Sequence, residues 1–177
     1  LVRFPLGVKS GEFRVPRGLI QGQRLTQILR RETVAVAGID DFDHLPTRFR
    51  ALATDLETGE RKVLARGDLA QAMRASLSAP GVFAPVELEG RLLVDGGLVE
   101  NLPVDIAKEM GVDVVIAVDV GVQPVGRRDL NSALAVSNQM LTIMIQRETQ
   151  RQRELLAVSD LLIEPARHPM RQTGVMD

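Results

Sequence analysis

Hydrophobic and polar positions repeat along this chain with two different periods, and the switches between them divide it into strands and helices. Leu19, Leu25, Ile28 and Leu29 recur at roughly helical spacing within residues 18–32. This predicts a short amphipathic helix from about Gln23, with Arg24, Arg30 and Arg31 on its polar face. Residues 49–55 (FRALATD) and 61–65 (RKVLA) read as two short strands folded about Glu57-Thr58-Gly59-Glu60. Asp68 suits the N-cap of a helix over Leu69–Ser76 that stops near Pro80-Gly81. Arg91–Val94 is a further strand. Pro103 fits the first turn of the next helix, and Gly111 its end after Met110.

Val114–Val118 is the continuous β-branched run expected of a central parallel strand covered on both faces. One long helix is predicted from Asn131 to about Ala157. Its first half is dense in Ala, Val, Leu, Ile and Met and is expected to be buried, whereas its second half (QRETQRQREL) is polar and expected to be exposed. Leu161–Glu164 reads as a last short strand, and residues 1–17, rich in Gly, Pro and basic side chains, as a loop. Strands alternating with helices indicate an α/β domain with a mainly parallel central sheet and flanking helices.

At 177 residues, 45% hydrophobic and 25% charged, the chain is globular in composition and the size of one domain. A net charge of -1 gives no global attraction to nucleic acid or anionic lipid. The absence of cysteine excludes disulfides and thiolate metal sites. No apolar run approaches the roughly 18 residues of a membrane-spanning helix, and no signal-peptide pattern occurs. The first residues, LVRFPLGVKSGEF, resemble the interior of a protein, so a longer parent polypeptide is expected.

The leading candidate for chemistry is Asp95, followed by Gly96 and Gly97 after an apolar strand. A carboxylate on a glycine turn at a strand end is rigidly placed to accept a proton, and both glycines are expected to supply positive φ. Asp-Gly between apolar segments is equally a common hairpin turn without chemistry. Asp119 and Asp55 end other strands, where either a ligand group or a turn acceptor is usual. His44, among Asp40, Asp41 and Asp43, and His168 near the C-terminus read as solvated residues, and the spacing around His44 does not suit zinc. Gly96-Gly97 opens neither a dinucleotide fingerprint nor a P-loop. Met140, Leu141, Met144 and Ile145 at helical spacing read as core, or as the lining of an acyl-chain channel. The arginines of the helix near Gln23 could meet lipid headgroups, although a solvated face is the plainer account.

Three segments in order, FRALATDLETGE, AMRASLSAPGVFAPVELEGRLLVDGG and LVENLPVDIAKEMGVDVVIAVD, carry a resemblance to the bacterial patatin-like phospholipase family. The run Ala75-Ser76-Leu77-Ser78-Ala79-Pro80-Gly81-Val82-Phe83-Ala84-Pro85 is similar to the Ala-Ser-x-x-x-Pro-x-x-Phe-x-Pro run that leads into the family's Asp-Gly-Gly motif. The resemblance fades in the last residues, ARHPMRQTGVMD. It implies a patatin-like three-layer α/β fold, with residues 1–177 as the C-terminal portion of a single, here incomplete, domain. It also implies that Asp95 is the aspartate of a Ser–Asp dyad and that Gly96 and Gly97 form its supporting turn.

The family's Gly-x-Ser-x-Gly elbow and glycine-rich oxyanion loop are not found in these 177 residues. Ser10, in Gly7-Val8-Lys9-Ser10-Gly11, lacks the spacing of the elbow, Ser76 and Ser78 end a helix, where serine usually satisfies backbone groups, and Ser132 and Ser137 fit a long helix's first turns, so neither these nor Ser159 is expected to replace the nucleophile. The implied activity is hydrolysis of carboxylic esters in phospholipids or lysophospholipids at a membrane or micelle surface, with no metal or organic cofactor and no nucleic acid partner. The alternative is a non-catalytic lipid- or partner-binding module. Apolar faces left bare would be covered by the missing N-terminal segment or by a second copy. Bacterial relatives with cytoplasmic and with exported locations are both compatible with the resemblance.

Overall fold

The computed structural model describes residues 7–9, 12–14 and 22–165. They fall into two compact units, divided between Asn101 and Leu102.

In the first unit, β1 (Gly7–Lys9) and β2 (Glu12–Arg14) pair antiparallel, where a loop was expected. Two residues, Ser10 and Gly11, separate them in the sequence. The helix α1 (Gln23–Glu32) begins where the apolar spacing predicts. A four-stranded sheet follows, in the order β4 (Arg61–Leu64), β3 (Ala51–Asp55), β6 (Arg91–Asp95), β5 (Val86–Leu88). Every pairing in it is antiparallel, which corrects the mainly parallel sheet for this unit. For two of the three pairings the cause lies in the connections. β3 joins β4 through residues 56–60 and β5 joins β6 through Glu89-Gly90, and a parallel crossover needs about a dozen residues. Glu89 and Gly90 both take positive φ, 52° and 71°, as a two-residue hairpin demands.

The helix α2 (Leu69–Ser76) packs on β3 through small residues. Ala72 and Ala75 meet Ala51 and Ala53 in a core closed by Phe42, Leu64 and Leu93. Small side chains on both elements let helix and sheet approach closely. Asp68 caps α2 by accepting the Gln71 N–H at 3.1 Å. Phe42 is fully buried against the tilted ring of Phe49, centroids 6.1 Å apart. Burial of that size stabilises by about 1.5–3 kcal/mol.

In the second unit, α3 (Val104–Glu109) follows Pro103 and gives way to Gly111, whose φ is 75°. β7 (Ile116–Val118) and β8 (Leu161–Ile163) pair in parallel across the 22-residue helix α4 (Ala133–Glu154). Here the parallel expectation holds. Leu102, Val104, Val115 and Ala117 form the core, with Leu156 and Leu162 against it.

Two expectations about burial are overturned. The apolar first half of α4 is the exposed half, with Leu134 70% and Met140 and Met144 each 61% exposed, whereas Thr149 and Gln152 of the polar half are buried. The helix is anchored by its polar half, where the Gln152 amide oxygen accepts the Asp105 N–H at 3.2 Å and Lys108 reaches the Leu155 carbonyl. Met140, Leu141 and Met144 therefore line no core among the described residues. β7 buries only Ala117, and Ile116 and Val118 on either side of it are exposed. Among the described residues, no helix is long and apolar enough to cross a membrane.

Candidate functional site

Asp95 ends β6, and its backbone is held from three directions. It lies opposite Ala53 in β3, its carbonyl accepts the Thr54 hydroxyl at 2.8 Å, and its N–H donates to the Ser78 carbonyl at 3.0 Å. Its side chain is fixed as well, since Oδ1 accepts the Gly97 N–H at 2.7 Å. The chain then enters one turn of 3₁₀ helix over Gly96–Leu98, with the Gly96 carbonyl accepting the N–H groups of Val99 and Glu100. Asp95-Gly96 is thus a cap on a helical turn and not a hairpin.

The carboxyl group of Asp95 is partly buried, and that burial pushes its pKa above the ordinary carboxylate value while the Gly97 N–H pulls the other way. A buried carboxylate of this kind binds a proton more tightly than a solvated one, which suits a general base.

The turn calls for glycine for a reason other than the one expected. Neither takes a positive φ. A Cβ at Gly96 would lie 2.6 Å from the Leu52 carbonyl carbon and 2.8 Å from the Leu52 Cβ, and closer still to the Leu52 oxygen. Close approach of the turn to β3 is what demands glycine there. At Gly97 a Cβ would lie 3.0 Å from both Asn101 Oδ1 and Asp95 Oδ1, which are movable side-chain atoms.

The other candidates are dispersed. Ser78 is fully buried and its hydroxyl donates to the Arg74 carbonyl at 2.8 Å, the local role expected of a serine after a helix. Ser76 is the last residue of α2, and Ser132 caps α4 by accepting the Ala135 N–H at 3.1 Å. Ser137 and Ser159 are exposed, and Ser10 and His168 lie outside the described residues. His44 is exposed, 3.8 Å from Asp41.

Asp55 is buried as a turn acceptor, taking the Glu57 N–H at 3.0 Å and pairing with Arg91 at 2.7 Å. These contacts, the Glu57 N–H foremost, hold its pKa below the usual carboxylate range. Asp119 likewise accepts the Gly121 N–H at 2.8 Å and pairs with Arg153, which also reaches Glu164 at 2.5 Å. Among the described residues, no three His, Cys, Asp or Glu side chains are grouped to hold a metal ion.

Reasoning from sequence missed Thr54 and Arg74. Thr54, a polar residue in an otherwise apolar strand and buried at 4% exposure, carried a signal. Arg74 carried none, because its helical position looks like a solvated one.

The patatin-like phospholipase family profile matches residues 3–108. An uncharacterized NTE family protein of Mycobacterium tuberculosis is 37% identical over 103 residues, covering 58% of this chain and 28% of its own length. A second NTE family protein, from Mycobacterium bovis, is 35% identical over 97 residues, 54% of this chain and 16% of the relative. Patatin-like phospholipase domain-containing protein 7 of Mus musculus is 44% identical over 73 residues, 40% of this chain and 5% of the relative. The chain thus spans less than a third of the length of these relatives. The family profile covers more than half of the chain, from ahead of β1 to within α3, and takes in Asp95 and its turn. This chain belongs to the patatin-like phospholipase family.

Proposed function

We propose that residues 1–177 are the C-terminal portion of a single patatin-like domain that hydrolyses carboxylic esters of phospholipids or lysophospholipids. Asp95 is the base of a Ser–Asp dyad, and the serine lies outside these 177 residues. The observation that carries this reading is the Asp95 carboxyl group itself, immobilised at a strand end with its pKa raised by burial. Family membership supports the chemistry.

With Oδ1 engaged by the Gly97 N–H, Oδ2 is the oxygen that takes the serine proton as the serine oxygen attacks the ester carbonyl. The tetrahedral intermediate collapses to an acyl-enzyme, and the proton passes from Asp95 to the leaving alkoxide. Water then repeats the sequence with Asp95 again as base, releasing the fatty acid and regenerating the serine. Gly96 and Gly97 act only as the turn that holds the carboxylate.

The test is turnover of a lysophospholipid micelle by the full-length polypeptide that carries this chain, with Asp95→Asn beside it. General-base loss costs on the order of 10²–10⁴-fold in rate, so near-parental turnover by Asp95→Asn would end the dyad reading. Intact mass after a lipophilic fluorophosphonate locates the serine. A single adduct outside residues 1–177 supports the assignment, and one inside them overturns it. The second reading is a non-catalytic lipid- or partner-binding module. Neither adduct nor turnover would decide for that module.

A further inference from the structure

We infer that Arg74 is a positioning residue for Asp95, acting through Ser78; this rests on the dyad reading above. Arg74 lies in the last turn of α2 and is 3% exposed, yet among the described residues no carboxylate pairs with it. A guanidinium taken out of water without an anion is costly, so its directional bonds must matter to the fold around it.

Those bonds all go to one segment. Nη1 donates to Ser78 Oγ at 2.5 Å, Nη2 donates to the Ala84 carbonyl at 3.3 Å, and the guanidinium carbon stands 4.9 Å from the centroid of the Phe83 ring. One side chain therefore ties the end of α2 to both ends of residues 78–84. A methionine or leucine would fill similar space but could hold neither the hydroxyl nor the carbonyl.

Ser78 passes this constraint on. Its hydroxyl proton is committed to the Arg74 carbonyl at 2.8 Å, so Oγ meets the guanidinium with a lone pair and the orientation is fixed. Its own carbonyl accepts the Asp95 N–H. The path from guanidinium to carboxylate thus runs through one fully buried residue. Gly22, the N-cap of α1, closes over the guanidinium: its φ of 71° suits glycine, and a Cβ there would lie 2.6 Å from Arg74 Nε.

The contribution is to geometry at the base. Removing the clamp lets the 78–84 segment relax and the Asp95 N–H lose its fixed acceptor. Misplacement of a reacting group by about 1 Å can cost up to on the order of 10²-fold in rate. In the full-length polypeptide, Arg74→Met and Ser78→Ala should each lower kcat about tenfold or more while KM stays within about twofold. The second-order rate of serine labelling by a fluorophosphonate should fall in parallel. Arg74→Lys should recover part of the loss, because an ammonium reaches Ser78 but not Ser78 and Ala84 together. Since both residues act in one path, the double variant Arg74→Met/Ser78→Ala should be no slower than the slower single variant.

Thermal melts separate this from simple unfolding, and if Arg74→Met does not fold, Arg74→Lys and Ser78→Ala decide. Folded Ser78→Ala and Arg74→Lys proteins with kcat and labelling rate within twofold of the parent would overturn the inference, as would losses that multiply in the double variant. Asp95→Asn distinguishes the two levels. If it is inactive while the Arg74 and Ser78 variants are unimpaired, the positioning role alone fails. If it turns over normally, the dyad reading fails and takes the positioning role with it.

Discussion

Gly96→Ala is the substitution whose cost follows most directly from geometry. Carbon atoms pack at about 3.5–4.0 Å, and the new Cβ would lie 2.6 Å from the Leu52 carbonyl carbon. The turn and β3 must separate by about 1 Å to relieve that overlap. Overpacking of this kind costs about 1–3 kcal/mol. The same movement stretches the Thr54 hydroxyl bond to the Asp95 carbonyl from 2.8 Å beyond useful range, which removes roughly a further 0.5–1.5 kcal/mol. Less the roughly 0.4–1 kcal/mol that any Gly→Ala change returns through the unfolded chain, about 1–4 kcal/mol remains, a fall in Tm on the order of 10 °C. Gly97→Ala is the matched control. Its Cβ meets only the side-chain oxygens of Asn101 and Asp95, both at 3.0 Å, and loss of chain entropy in the unfolded state returns about 0.4–1 kcal/mol. Its Tm should stay close to that of the parent, while turnover falls because the intruding methyl displaces Asp95 Oδ1. Scanning fluorimetry and ester hydrolysis on the three proteins give the answer. An unchanged Tm for Gly96→Ala, or a larger loss for Gly97→Ala, would refute the close-approach account.

Burial raises the Asp95 pKa, so ionisation of Asp95 weakens folding as pH rises through its folded-state value, and the penalty vanishes below the ordinary value of 3.8. Asp95→Asn should therefore melt higher than the parent at pH 7, with the gain shrinking toward pH 4, whereas lower melting at pH 7 would count against the buried carboxylate. On the proposed dyad, turnover by the parent should rise with pH through a pKa above 3.8. Asp55 has the opposite sign, with its pKa held down by the Glu57 N–H and Arg91. Its contribution is present above 3.8 and is lost as pH falls through the lower folded value, so Asp55→Asn should destabilise at pH 7 and converge on the parent in acid melts. Asp68→Ala removes the cap at Gln71 N and should cost about 1 kcal/mol by denaturant titration.

Local chemistry made several elements readable. Asp68 before an alanine-rich run marked the start of α2 and Pro80-Gly81 its stop, and the glycine turn at Gly59 marked the β3–β4 hairpin. Asp95 was legible as a candidate because an acid on a glycine pair after an apolar strand is conspicuous. Features that depend on which surfaces meet were not legible. The strand β5 went unread because Val86–Leu88 is only three residues long, although Glu89-Gly90 was its turn signal. The β3–β4 hairpin apart, the direction of strand pairing in the four-stranded sheet was misjudged by assuming that helices connect neighbouring strands. Burial in α4 was inverted because hydrophobicity was read as burial, while the docking contacts belong to Asp105, Lys108, Gln152 and Leu155. The reason for Gly96 was invisible, since Leu52 is its neighbour only after β3 and β6 have paired.

That pairing also has a kinetic meaning. The β3–β4 and β5–β6 hairpins close over connections of a few residues, but the Thr54–Asp95 contact joins positions 41 apart in the chain. Loop-closure entropy makes the longer closure dearer by about 2 kcal/mol. The hairpins can therefore assemble early, and the turn bearing Asp95 comes to rest against β3 in a later step. Substitutions at Gly96 or Thr54 should then act chiefly by hastening unfolding, leaving the refolding rate nearly unchanged. A chain built this way puts its acid in place only after the scaffold exists, and its functional lifetime at a given temperature is governed by how long β3 and β6 stay together.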